Sequence, residues 1–333
     1  MSKIVSFGEI MLRLNPAGYR RFYQANQMEV SYAGSEANVA VQLALLGHHS
    51  VFVSKVPAHE IGQCAVNELR RYGVDVSEMR RGGPRLGVYY VEKGASQRGG
   101  KVIYDRADSS MALARAEEFD WERLLQGADG FHFSGITPGL GGEMPKACLE
   151  AVRTARRMQV PVSCDLNYRA KLWTPEQAGR VMTELMPYVD LCIANEAEAQ
   201  DMFGIQASGA SGEERCESVA RQIAERFGTK EVAVTLLESL SSEEDDWSGL
   251  LYREGECRLS RKYRVHIVDR VGCGDCFGAA LIHGVQKGWD AGRQIEFAVA
   301  AGCLNQTIEF DFNLVTEEEI LALAEGKGGD LKR

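Results

Sequence analysis

Asp269-Arg270-Val271-Gly272-Cys273-Gly274-Asp275 runs directly into Cys276-Phe277-Gly278-Ala279-Ala280-Leu281, a glycine-rich turn opening a run of small and apolar residues. Two glycines bracket one small residue, and an aspartate follows at once. A helix starting there presents unpaired backbone N–H groups at its positive end, a ready site for a phosphate-like anion. Glycine suits the turn because a β-carbon would hold the backbone away from phosphate oxygens. Asp275 would stand beside that anion, where a carboxylate is repelled unless it has a task. Taking the proton from a hydroxyl that attacks a γ-phosphate is such a task. The plain alternative makes Asp275 a helix cap after a glycine turn. This segment alone leaves both open. Cys273, at the same helix start, is also where a low-pKa thiolate is conceivable.

Outward from this loop, the chain alternates short apolar runs with amphipathic ones. Helices are expected over 36–46, 61–72, 143–158, 175–186, 218–227, 277–285 and 290–304, and strands over 50–56, 130–134, 160–165, 191–195 and 232–237. The rhythm predicts an α/β fold, a mostly parallel sheet flanked by helices on both faces, with ligands at the strand C-terminal ends. Residues 12–32 and 85–106 break the rhythm with β-rich, alternating sequence and no helix. They are expected to form a small antiparallel β lid over a core made of 1–11, 33–84 and 107–333. Stretches 208–216 and 239–246 are polar or acidic and read as surface loops. His48 and His49 read as a surface turn after Gly47, and the tail from Gly326 is expected to fray.

Bulk properties point to a cytoplasmic enzyme. The 333 residues are 45% hydrophobic and 26% charged, enough for one large core with a small appendage. A net charge of −9 and a pI near 5.4 argue against nucleic-acid or acidic-membrane partners. The opening residues 1–8 read as a strand rather than a signal peptide. No run approaches the roughly 20 apolar residues that span a bilayer. Nine cysteines, an odd number, are scattered without Cys-x-x-Cys pairs. Cys64, Cys148, Cys164, Cys192 and Cys303 have the apolar context of buried free thiols.

The glycine-rich segment resembles the C-terminal signature of the ribokinase-like (PfkB) carbohydrate kinases, D-T-x-G-A-G-D-x-F, with Arg270 for the usual threonine and Cys273 for the usual alanine. The N-terminal signature has a counterpart in Ala33-Gly34-Ser35-Glu36-Ala37-Asn38-Val39-Ala40, where the family usually carries Gly-Gly for Ala33-Gly34. Two signatures in the right order near opposite ends of the chain are far more specific than either alone. The resemblance implies the α/β core with a β lid, ATP and Mg²⁺ as cofactors, and a base at Asp275 with an anion hole from Gly272, Cys273 and Gly274. It leaves open a monovalent cation near the anion pocket. Asn195-Glu196-Ala197-Glu198 resembles the family's N-x-x-E motif. By that resemblance Asn195 serves the nucleotide and Glu198 acts on Mg²⁺ through water, since Mg²⁺ keeps its waters. Read without it, Glu196 and Glu198 are first-turn acids that favour the helix dipole. Thr235 is a candidate ATP contact, although Leu237 stands where the family often has glycine. Segment 300–313, with Asn305, is expected to help form the adenine pocket.

The substrate is read from arginines. In a strand, Tyr104 and Arg106 point to one face, and Arg169 follows the apolar strand ending at Asp165. Two guanidinium groups suit a carboxylate, which each can grip with parallel hydrogen bonds. The bland reading makes Arg106 a hairpin charge and Arg169 a salt-bridge partner. The Tyr104-Asp105-Arg106 triplet, Asp165-Leu166-Asn167-Tyr168-Arg169 and the Gly8-Glu9 start are similar to the 2-keto-3-deoxygluconate kinase branch. That likeness implies a sugar-acid site made by Gly34, Asn38, Tyr89, Tyr104, Arg106, Arg169 and Asp275. A kinase for fructose, ribose or another keto-sugar acid, and a noncatalytic sugar sensor, are the alternatives. A homo-oligomer is expected, and a dimer through the lid is one arrangement.

Overall fold

The computed structural model describes residues 1–327. Its large sheet is built around Lys3–Phe7, which lies between His49–Val53 and Gly130–Ser134 and is parallel to both. Val162–Asp165, Leu191–Ala194 and Glu231–Ser239 continue the sheet in parallel. The next strand, Glu244–Arg253, is antiparallel and pairs onward with Glu256–Leu259 and Tyr263–His266. Strands such as Gly130–Ser134 are buried along their whole length, so both faces must be covered by helices. On one face, Met144–Arg157, Pro175–Leu185 and Gly212–Phe227 close a core containing Phe7, Trp121, Phe131 and Phe133. On the other, Cys273–Gln286 and Ala291–Asn305 enclose Phe277, Phe297 and Trp247.

The lid has four strands in the order Glu29–Ala33, Met11–Asn15, Val88–Glu92, Lys101–Asp105. Its outer pairs are antiparallel, but the central pair is parallel. Each excursion folds as its own hairpin, and the two hairpins meet side by side, so the lid is mixed rather than wholly antiparallel. A third apolar cluster, including Ile10, Phe52, Leu69, Tyr89 and Val91, joins the lid to the core.

Several expectations need correction. Helix Gly212–Phe227 begins inside the stretch read as a loop, because Ser211 and Glu214 form a reciprocal capping box. Stretch 239–246 is the turn of a hairpin whose return strand starts at Glu244. The expected strand 50–56 is divided, with Lys55–Val56 pairing instead with Arg80–Arg81. His48 is buried, its Nε2 2.9 Å from Nδ1 of His283, and His49 begins a strand. Cys64 is exposed, although all nine cysteines are free thiols. Residues 328–333, most of the tail expected to fray, lie outside the described residues.

Candidate active site

A cavity of about 1180 Å³ opens beyond the C-terminal ends of the parallel strands. It exceeds the usual span of a single small-molecule site, roughly 300–1,000 Å³, and so has room for two ligands. Two helices start in its wall, Ser35–Leu45 after Gly34 and Cys273–Gln286 after Gly272. Gly272 has φ +92, and a β-carbon there would sit 2.3 Å from the Asp311 carbonyl oxygen. Gly34 is extended, but its β-carbon would meet the Glu9 carbonyl at 2.0 Å. Both positions therefore require glycine, one for conformation and the other for close approach. A β-carbon on Gly274 would meet nothing within 4 Å. The loop backbone is thus open to a ligand at that residue.

Asp275 lies in the first turn of its helix but does not cap it; Gly272 is the cap residue. The carboxylate instead accepts hydrogen bonds from Ser35 Oγ and Asn38 Nδ2, each at 2.6 Å. Asn167, with φ +38, donates to Ser35 Oγ at 2.9 Å and extends the chain of contacts. Burial pushes the Asp275 carboxyl up to about 7, against the opposing effect of the Ser35 and Asn38 hydrogen bonds. A carboxylate poised near neutrality has the proton affinity wanted of a general base. A base at Asp275 makes kcat/KM fall as pH drops below about 7, because only the ionised form accepts a proton. Burial also carries Glu198 to about 7, so the assignment needs a control: the acid limb of a pH–rate profile should persist in Glu198→Gln.

The sugar-side candidates Gly34, Asn38, Tyr89, Tyr104, Arg106 and Arg169 all line this cavity. Tyr89 and Tyr104 stack with centroids 6.0 Å apart. Arg106 is not a surface hairpin charge. It is buried, and its Nε and Nη2 both donate to Glu9 Oε2. Arg106 is therefore largely committed to Glu9. Arg169 makes no ion pair among the described residues, and its Nη1 donates only to the Tyr168 carbonyl at 3.2 Å.

Asn195 and Glu198 cap the start of Glu196–Phe203 reciprocally while also lining the cavity, and Glu198 is close enough to Arg169 to feel its charge. Asp165 is raised well above the usual carboxylate range by burial and by the charges of Glu198 and Asp275. Such paired carboxylates gain from a hard cation, and the donor set fits Mg²⁺ brought in with phosphates. Among the described residues, no group of three or more His, Cys, Asp or Glu side chains could hold a metal unaided. Thr235 lines the cavity. Leu237 needs no glycine's freedom because the strand runs straight through it, pairing it with Trp247.

Three expectations fail here. Asn305 is fully buried, does not line the cavity, and donates instead to the Asp311 carbonyl at 3.1 Å. Of segment 300–313 only Asp311 reaches the cavity wall, because the helix ending at Asn305 packs into the core. The structure does not favour a thiolate at Cys273, half-buried in the cavity wall: desolvation and the charges of Asp275 and Asp245 push its thiol up to about 12. Thiol reagents at neutral pH should leave Cys273 unmodified, as mass mapping of the labelled protein would report. Cys273→Ala should be nearly neutral, whereas Cys273→Val should lower kcat/KM by crowding the loop.

Sequence reasoning also missed a buried bridge. Arg13, on the inner lid strand, donates to Asp311 Oδ1 at 2.7 Å and to Asp269, the first residue of the glycine-rich segment. Tyr89 Oη donates to Asp311 as well, 2.8 Å from both carboxylate oxygens. Arginine on an apolar lid strand was the available signal, but its partners could not be read locally.

Against known families, residues 1–307 match the model of the pfkB family carbohydrate kinases. The chain belongs to the PfkB family. Like the rest of that family it is a carbohydrate kinase, and the large sheet with its smaller lid is the ribokinase-like fold. A crystal structure of 2-dehydro-3-deoxygluconokinase from Thermotoga maritima is similar at 46% identity and a TM-score of 0.95, over 98% of each chain. A 2-dehydro-3-deoxygalactonokinase from Haloferax volcanii is 31% identical over 99% of this chain and 98% of its own. A 2-dehydro-3-deoxygluconokinase from Bacillus subtilis is 29% identical over 96% and 94%. Among the described residues, no helix of this PfkB kinase is long and apolar enough to cross a membrane.

Proposed function

We propose that this PfkB kinase transfers the γ-phosphoryl group of ATP to the terminal hydroxyl of 2-keto-3-deoxygluconate, giving the 6-phosphate and ADP. The observation that carries the reading is the position of Asp275. Its carboxylate directly follows the open Gly272–Gly274 turn, is held by Ser35 and Asn38, and shares the cavity wall with Arg169, Arg106 and Tyr104. The sugar acid's carboxylate meets Arg169, with Arg106 contributing the donor it does not spend on Glu9. Gly34, Asn38 and the tyrosines shape the pocket around the carbon chain. As the hydroxyl oxygen attacks phosphorus, its proton passes to Asp275, and the bond to the ADP oxygen breaks. Backbone N–H groups from Gly272 to Asp275 stabilise the charge on the moving phosphoryl group.

Mg²⁺, when bound, neutralises charge on the ATP phosphates; Glu198, with Asp165, is the carboxylate pair that would hold its water shell. Glu198→Gln should therefore raise the Mg²⁺ concentration needed for half-maximal nucleotide affinity. The likeness to the Haloferax volcanii galactonate-series kinase supports one second reading, the epimeric 2-keto-3-deoxygalactonate. Steady-state kinetics on both epimers, fructose and ribose test the reading. A higher kcat/KM for either neutral sugar would reject it. Oligomerisation through the lid is part of the same proposal, supported by the exposed Val30 on the edge strand Glu29–Ala33. Light scattering of wild type and Val30→Lys tests it.

A further inference from the structure

The cavity wall carries twice as many carboxylates as cationic side chains, a poor reception for a polyphosphate. The cations differ in how firmly they are held. Arg106 is closed on Glu9, and Arg215 donates to Glu196 at 3.1 Å. Lys262 lies 3.9 Å from Glu238, and Arg169 belongs to the sugar end. Arg270 is different. It stands two residues before Gly272, and its side chain is 41% exposed. It lines both the large cavity and an adjoining one of about 550 Å³. Its guanidinium lies 3.3 Å from the Ser241 carbonyl oxygen and 3.5 Å from both Ser239 Oγ and Asp245 Oδ1. Charge-assisted N–H···O bonds settle near 2.7–2.9 Å, so all three contacts sit at the loose limit. Asp245 is buried, and its Oδ1 also takes a 2.8 Å hydrogen bond from Ser239, so the carboxylate keeps one partner when Arg270 leaves, at a cost that contacts to phosphate must offset.

We propose that Arg270 is a phosphate-binding residue, its guanidinium leaving these loose contacts to grip the β- and γ-phosphates of the nucleotide held over the Gly272–Asp275 loop. Arginine matches phosphate oxygens with two parallel donors and keeps its charge at any working pH. A guanidinium beside the transferring group also stabilises the charge that spreads over its oxygens as the bond to ADP breaks. Arg169 and Arg270 are then two arginines of one cavity wall, one for each anionic ligand. The inference rests on the reading of this cavity as the site of an ATP-dependent kinase.

Equilibrium titrations of wild type, Arg270→Met and Arg270→Lys with AMP, ADP and ATP, without sugar, test it. AMP lacks the phosphates that Arg270 would touch. The expected result for Arg270→Met is a loss of about tenfold to a hundredfold in ADP and ATP affinity with AMP affinity unchanged. Arg270→Lys should recover part of the loss, because an ammonium supplies charge without the fork. Equal weakening of AMP and ADP would assign Arg270 to bracing the 239–245 hairpin and overturn the proposal. So would unchanged affinity for all three. Failure of wild type to bind any of the nucleotides would instead overturn the kinase reading beneath it.

Discussion

Asp275→Asn should retain the fold and bind ATP with near-normal affinity, yet lose about 10²–10⁴ in kcat, the usual cost of removing a general base. The amide cannot take the proton of the attacking hydroxyl. It can still accept a hydrogen bond from Ser35, which now holds the carboxylate at 2.6 Å. The side chain should therefore stay in position while its chemistry is lost. Single-turnover kinetics with saturating ATP and sugar acid isolate this step from product release. Near-normal kcat in a well-folded variant would reduce Asp275 to an ordinary first-turn acid.

Arg169→Ala and Arg106→Ala should fail in different ways, and the difference tests the sugar-acid assignment. Arg169 carries no ion pair among the described residues. Its removal should spare stability and ATP affinity while costing about tenfold to a hundredfold in kcat/KM for a sugar acid. A neutral hexose, with no carboxylate to meet, should lose much less. Arg169→Lys should restore only part of the activity, because an ammonium has no two-pronged donor. Arg106→Ala removes the partner of a buried Glu9. Stranding a buried carboxylate costs about 3–5 kcal/mol, so this variant should lower Tm as well as activity. The double variant Glu9→Gln/Arg106→Met should recover much of the stability without the activity. Equal damage to acid and neutral substrates in Arg169→Ala would remove the carboxylate from the picture.

The sheet and its helices were largely legible from local patterns. The Gly272–Asp275 segment opens a helix as its glycines suggest, and the apolar runs with their helix partners announce the parallel sheet. Contacts between distant segments could not be read in this way. Arg13 meets Asp311 298 positions away, and Arg106 meets Glu9 across 97. Nothing in a strand's alternation says which carboxylate will face its arginine. Asn305 misled for a related reason. The family resemblance put it in the adenine pocket with segment 300–313, yet its amide serves the Asp311 carbonyl. The loop read over 208–216 was different, since Ser211 and Glu214 carried a capping signal that polarity alone obscured.

Arg13 has a consequence for how the molecule comes apart. The inner lid strands send two side chains, Arg13 and Tyr89, into carboxylates that belong to the core. Peeling those strands away would leave Asp269 and Asp311 buried without their counter-charge. The lid centre therefore cannot melt as a separate cooperative unit. Its amides should exchange with solvent only through global unfolding, while the margins, Glu29–Ala33 and Lys101–Asp105, exchange by local fraying. A single calorimetric transition is expected for wild type. Arg13→Met should split it in two and bring the exchange of Val88–Glu92 down towards that of the margins.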